Sequence, residues 1–312
     1  MQSALVAGGA GFIGSHLCES LLDEYKVICV DNLITGDRKN IESLLGNKNF
    51  EFLEFDITKP LSLKSIDYIF HLASPASPSN KNPKSYIHHP VETLLANSQG
   101  TYELLQLAKR ENSKFLFAST SEIYGDPEIS PQKEDYFGNV NPTGIRSVYD
   151  EGKRFGEAIT MAYFRKFKLD VKIVRIFNTY GPKMPDDGRV VTNFLYQALE
   201  NKPLTIYGDG KQTRSFCYIN DMIEGIEKTM FSPQTKGEVI NLGNPREITV
   251  LEIAQVIKKL TNSSSDIVFE DLPEDDPKRR NPDISKAKKL LGWEPKIDLE
   301  KGLKEMIELM QI

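Results

Sequence analysis

Tyr149-Asp150-Glu151-Gly152-Lys153 sets a phenol and an ammonium four residues apart, which on a helix places both on one face. A fixed positive charge beside a phenol stabilises the phenolate. The tyrosine is therefore expected to titrate below its usual value of about 10 and to exchange a proton with an alcohol. Exposed helical pairs share this spacing, so the reading needs a second group. Ser119-Thr120-Ser121-Glu122 supplies it at the end of a predicted strand, where doubly wound sheets gather ligands and hydroxyls can orient a reacting oxygen. Strand-end capping accounts for one hydroxyl more easily than for three beside a carboxylate. Thr120, Ser121, Glu122, Tyr149 and Lys153 are the candidate catalytic residues, suited to oxidising or reducing a carbinol.

A second constellation opens the chain. Val6-Ala7-Gly8-Gly9-Ala10-Gly11-Phe12-Ile13-Gly14 places Gly8, Gly11 and Gly14 at G-x-x-G-x-x-G spacing, after a strand pattern and at the start of a helix. Glycine there allows a tight turn, close approach of backbone N–H groups to a pyrophosphate, and close packing of helix on strand. Asp31 ends the second predicted strand, where a carboxylate accepts from ribose hydroxyls and repels a 2′-phosphate, favouring NAD over NADP. A glycine-rich turn with a capping aspartate is the plainer alternative. The cofactor side is expected to take in Phe12, Ile13, Asn32, Ile57, Leu72 and Ala73. Asp56 is either an adenine contact or a solvated turn carboxylate.

Both constellations need a parallel sheet to position them. Short apolar runs at Ala4–Ala7, Val27–Val30, Phe50–Phe55, Tyr68–Leu72, Lys114–Ala118 and Val171–Ile176 alternate with helical patterns such as Gly14–Asp23 and Leu94–Arg110. This order predicts an α/β, Rossmann-type doubly wound parallel sheet over 1–177 and a smaller C-terminal α/β substrate lobe over 178–312, the chain being free to cross back between them. Helices are expected at Val250–Leu260 and Ser285–Leu291 in the later part. With 312 residues, 39% hydrophobic and 27% charged, the chain has the composition of a globular protein. A net charge of -5 gives no basic field for nucleic acid. Cys18, Cys29 and Cys217 have no paired spacing and read as buried thiols in a reducing compartment. No run approaches the roughly 18 apolar residues of a membrane span, and no secretion signal is visible, so a cytoplasmic location is expected.

Longer stretches carry a resemblance: LASPASP (72–78), STSEIYGDP (119–127), GNVNPTGIRSVYDEGKR (138–154), RIFNTYGP (175–182), DGRVV (187–191) and YGDGKQTRSFCY (207–218). Over essentially the whole chain these motifs resemble the extended short-chain dehydrogenase/reductase family of nucleotide-sugar enzymes, in particular its UDP-glucuronate decarboxylase branch. The resemblance implies a redox triad of Thr120, Tyr149 and Lys153, with Ser121, Glu122 and Arg280 beside the sugar. It also implies UDP contacts from Asn178, Arg189, Val190 and Arg214, with Tyr207 near the uridine. The implied reaction oxidises C4 of UDP-glucuronate with NAD, loses carbon dioxide from the β-keto acid, and returns the hydride to give UDP-xylose. The resemblance further implies a homodimer, through helices bearing Leu94–Arg110 and Tyr149–Tyr163.

The chain departs from the family pattern at the mouth. Ser79–Pro90 is longer than usual, leucine stands at Leu95 where the family carries lysine, and Phe137 replaces a common tryptophan. These departures keep open a second reading, a UDP-hexose or UDP-N-acetylhexosamine 4-epimerase, 4,6-dehydratase or 4-keto reductase. A non-catalytic NAD-binding sensor is a third, since fold alone does not establish activity. His88 and His89 read as a solvated loop pair, and no metal site is expected. Lys278 and Arg279 read as a basic surface turn, with Arg280 alone directed inward.

Overall fold

The computed structural model describes residues 1–271 and 279–310, so Lys278 lies outside the described residues. Among the described residues, seven strands form one parallel sheet: β1 (Ser3–Ala7), β2 (Lys26–Asp31), β3 (Phe50–Glu54), β4 (Tyr68–His71), β5 (Lys114–Thr120), β6 (Val171–Ile176) and β7 (Val239–Leu242). Their spatial order is β7-β6-β5-β4-β1-β2-β3. The chain builds outward from β1 to β3, then jumps back beside β1 to start β4. That reversal opens a crevice beyond the carboxyl ends of β1 and β4, where Ala7 lies opposite both Val30 and His71.

The strands are runs of Val, Ile, Leu and Phe because both faces of the sheet are covered. Alternate residues of β1 feed opposite layers. Ala4 and Val6 pack with Leu17, Cys18 and Leu21 of α1 (Phe12–Leu21), whereas Leu5 and Ala7 belong to the layer formed by Leu104, Leu105 and Leu107. The expected helix over Leu94–Arg110 is interrupted. Helix α2 (Pro90–Leu95) runs into a wide π-type turn at Ala96–Gly100 before α3 (Thr101–Glu111). Asn97, in that turn, points inward, donating to Ser74 Oγ at 2.8 Å and to the Thr93 carbonyl at 2.9 Å. Helix α4 (Ser147–Phe167) lies very close to the sheet, since a Cβ at Gly156 would overlap the Phe117 ring.

The later part of the chain holds α5 (Val190–Leu199), α6 (Ile219–Phe231), α7 (Val250–Leu260), α8 (Ser285–Leu291) and α9 (Leu299–Met310). Short strand pairs accompany them: Leu204–Tyr207 with Ile267–Glu270, and Thr213–Ser215 with Glu247–Thr249. Helix α7 starts on a full capping box between Thr249 and Glu252. The chain does cross back: α6 packs on α1, and β7 pairs with β6 at the edge of the main sheet. Trp293, fully buried, fastens α6 to the C-terminal segment by donating to the Asp221 carbonyl at 2.9 Å.

Candidate active site

A cleft of about 1300 Å³ runs along the carboxyl ends of the strands, and every residue singled out above for cofactor, chemistry or substrate lines it. At one end, the turn between β1 and α1 is bare backbone. Gly8 has φ +81°, and a Cβ there would lie 2.6 Å from the amide nitrogen of Ala73; a Cβ on Gly14 would overlap the Gly8 carbonyl. Gly11 caps α1 without a side-chain hydrogen bond, so the first amides of the helix face the cleft with the positive end of its dipole. These features fit a dinucleotide pyrophosphate. Asp31 stands beside them, accepting from Ala10 N at 3.0 Å and Leu33 N at 2.8 Å, while burial raises its carboxyl above the ordinary range. Asp56 Oδ1 accepts from Thr58 N at 3.0 Å and Thr58 Oγ1 at 2.9 Å, which fixes the turn after β3.

At the middle of the cleft, β5 delivers Thr120 and α4 delivers Tyr149 and Lys153. The Thr120 hydroxyl lies beside the Tyr149 phenol and counters part of the effect of its burial. Lys153 Nζ donates to the Ala118 carbonyl at 2.7 Å and lies 5.7 Å from the centre of the Tyr149 ring. The expected lowering of the phenol by the ammonium is not what governs this pair. Burial pushes Tyr149 up, against the Thr120 hydroxyl, with Glu122 and Asp150 adding to the rise and Arg189 opposing it. The same burial brings Lys153 down to about 7, opposed by Glu157. Desolvation disfavours both charged forms, so the phenol stays protonated at neutral pH and the lysine is poised to gain or lose its proton.

The far end is charged. Glu122 is held by Arg146 on one side and by Arg280 Nη2, at 3.0 Å, on the other; Arg280 also donates to the Ser121 carbonyl. Burial alone would raise Glu122, but the two guanidinium groups outweigh it and hold the carboxyl down to about 2. Asp150 shows the opposite case: burial, reinforced by Glu122, lifts it to about 8. Arg189 is gripped by Asp187 at 2.7 Å, and Arg214 is nearly buried behind Glu122. Tyr207 accepts from Lys81 Nζ at 3.4 Å. Arg279 makes an exposed pair with Glu247, unlike its buried neighbour Arg280.

Two site residues had no signal in the sequence reading. Arg146 lies inside the 138–154 stretch just before α4, but its pattern assigns it no role, and its partner Glu122 comes from a distant turn. Tyr86, inside the Ser79–Pro90 segment, stacks on Tyr149 with ring centres 5.1 Å apart and planes 5° apart. Just before that segment, Ser77 Oγ donates to the Asp187 carbonyl at 2.9 Å. His88 is exposed and bonded to the Asn80 carbonyl at 2.7 Å, and Leu95 is 45% exposed at the cleft edge. Phe137 is 85% exposed.

This doubly wound sheet, with its glycine turn and its Thr, Tyr and Lys gathered at the strand ends, is that of an extended short-chain dehydrogenase/reductase enzyme. A profile described as GDP-mannose 4,6 dehydratase matches residues 5–306, and the chain belongs to that family. It is 50% identical over 306 residues to UDP-glucuronic acid decarboxylase 1 of Danio rerio, covering 97% of this chain and 71% of that protein. With UDP-glucuronic acid decarboxylase 2 of Arabidopsis thaliana it shares 50% identity over 97% of this chain and 67% of the relative. Among solved structures, UDP-glucuronic acid 4-epimerase from Bacillus cereus, in complex with UDP-glucuronic acid and NAD, superposes with TM-score 0.89 at 33% identity, over 99% of each chain. UDP-glucose 4-epimerase from Thermotoga maritima, with UDP-glucose, gives TM-score 0.90 at 31% identity, again over 99% of each chain.

Proposed function

We propose that this chain is an NAD-dependent decarboxylase that converts UDP-glucuronate to UDP-xylose and carbon dioxide. The observation that carries the reading is the Glu122–Arg280 pair, set in one cleft with Thr120, Tyr149 and Lys153, in a chain half identical to decarboxylases of that substrate. In this reading residues 1–177 hold the cofactor and residues 178–312 mainly hold the nucleotide sugar. Gly8, Gly11, Phe12, Ile13 and Gly14 cradle the pyrophosphate, Asp31 and Asn32 face the ribose, and Asp56, Ile57, Leu72 and Ala73 line the remaining wall. Bound NAD supplies hydride acceptance from sugar C4 and its return.

Tyr149 takes the C4 hydroxyl proton as its own proton passes to the Lys153 amine, which becomes the ammonium, and Thr120 fixes the direction of the phenol. A sugar oxidised at C4 has its carboxyl group β to a carbonyl, so the electron pair left by departing carbon dioxide is delocalised as an enolate. Arg280 and Ser121 face that developing charge, and Glu122 fixes Arg280 in place. Asn178, Val190, Arg189, Tyr207 and Arg214 take the UDP portion, where guanidinium and amide donors match a diphosphate.

Incubation with UDP-glucuronate should release carbon dioxide and form a UDP-pentose. In Tyr149→Phe, turnover falls by about 10²–10⁴-fold while NAD binding persists. Recovery of only UDP-galacturonate would favour the second reading, a 4-epimerase, which is motivated by Leu95 at the mouth and by the solved epimerases. The same assay over a panel of UDP-sugars tests the dehydratase and reductase alternatives.

Val91, Leu94, Tyr102 and Phe155 leave an exposed apolar strip on α2, α3 and α4, which supports a homodimer through those helices, measurable by sedimentation. Three free, buried cysteines suit a reducing, cytoplasmic setting, which cell fractionation tests. Among the described residues no helix is long and apolar enough to cross a membrane.

A further inference from the structure

Glu157 lies on α4 one turn beyond Lys153, and its side chain is only 13% exposed. Oε1 accepts from Ser119 Oγ at 2.6 Å and from Arg175 Nε at 2.9 Å, and Oε2 accepts from Arg175 Nη2 at 2.8 Å. Arg175 Nη1 donates to Tyr124 OH at 2.8 Å, and Tyr124 OH donates to Asn241 Oδ1 at 2.8 Å. Asn241 continues the network to the Gln132 and Asp283 carbonyls, at 3.0 and 3.2 Å. The network thus ties α4, β5, β6 and β7 to the segment that carries Arg280. Neither Glu157 nor Arg175 lines the cleft, so the reading above gives them no contact with cofactor or sugar. Taking two charges out of water is costly, and an apolar pair of like volume would pack as well.

The charges around Lys153 show what such a pair can do. Its ammonium donates to a neutral carbonyl, that of Ala118, and lies 5.0 Å from the centre of the Phe117 ring. His71, facing it from β4, is brought down to about 3 by burial and is neutral, and burial keeps the Tyr149 phenol protonated. Glu157 is the group that pulls the lysine toward its charged form, against burial.

We propose that Glu157, clamped by Arg175, is a positioning residue for the Tyr149–Lys153 pair: it is the counter-charge of the buried ammonium and ties the helix of that pair to the strand end bearing Thr120. The assignment rests on the reading of Lys153 as part of the redox set. Glu157→Gln keeps the shape and removes the charge. In the full-length enzyme it should move the acid limb of the kcat/KM profile down by about one pH unit, because Lys153 then loses sooner the proton that must leave before the pair can act as a base. Carbon NMR of the lysine ε-methylenes, with the Lys153 signal assigned from its loss in Lys153→Met, should show the same displacement without any assay of turnover. Glu157→Asp, which keeps the charge on a shorter arm, should show a smaller displacement in the same direction. It also serves as the test variant if Glu157→Gln fails to bind NAD or to melt cooperatively. A Lys153 titration and an acid limb that stay in place in a folded variant overturn the proposal. Undiminished turnover in Lys153→Met would instead overturn the redox role of the lysine, while the NMR displacement would still report on Glu157.

Discussion

At its glycine end the cleft is walled by backbone and small or apolar groups, such as Gly8, Gly11, Ile13 and Ala73, whereas its far end is walled by Glu122, Arg146, Arg189, Arg214 and Arg280. The first wall is made chiefly by the short turn between β1 and α1, with Ala73 closing against it, and its specificity comes from amides that a side chain would cover. The second is made by residues from distant parts of the sequence, each guanidinium held by a carboxylate or carbonyl before any ligand arrives. One end is pre-shaped by covalent proximity and the other by mutual neutralisation. A change at either end should therefore damage a different measurable property.

The largest separation is expected from Arg280→Met. Removing a buried donor aimed at developing charge should lower turnover by roughly 10²–10³-fold. Calorimetric NAD binding should remain close to wild type, because the glycine turn is untouched. Equal damage to both would mean that the two ends are one unit. Gly8→Ala is the converse, with an intermediate effect. A Cβ at φ +81°, 2.6 Å from Ala73 N, should cost about 1–3 kcal/mol of stability and weaken NAD binding. A melting temperature and NAD affinity that match wild type would break the idea of a backbone-made wall.

The smallest effect sharpens the charged side. Asp150 has its carboxyl raised to about 8 from 3.8, first by burial and then by Glu122. The folded protein keeps a proton there that the unfolded chain releases, so this group's contribution is full below pH 3.8 and is lost as pH rises through about 8. Asp150→Asn removes that loss. Denaturant unfolding at acid and alkaline pH should show the variant gaining on wild type toward alkaline pH by something on the order of 1 kcal/mol. Parallel stability profiles would remove Asp150 from the charged cluster.

The contrast also explains what could be read from sequence. The sheet, the glycine turn and Asp31 were legible because strand, turn, helix and acid follow one another within a single βαβ unit. Tyr149 and Lys153 were legible as a helical pair, yet their acidities were not, since burial by Phe117, Tyr86 and the sheet outweighs their mutual influence. Arg146 and Tyr86 were invisible because an ion pair and a ring stack depend on two distant segments meeting. The interruption at Ala96–Gly100 escaped notice for a similar reason: the apolar period runs on through it, and it is Asn97 reaching Ser74 that marks the inward turn.

Tyr86 lies flat on the ring of Tyr149, and both belong to the protein interior. The catalytic ring cannot swing to another rotamer while its neighbour stays in place. The 79–90 segment, through Tyr86, therefore holds the phenol in its working orientation. The wall of the sugar site and the rotamer of its proton acceptor are thus set by one ring stack.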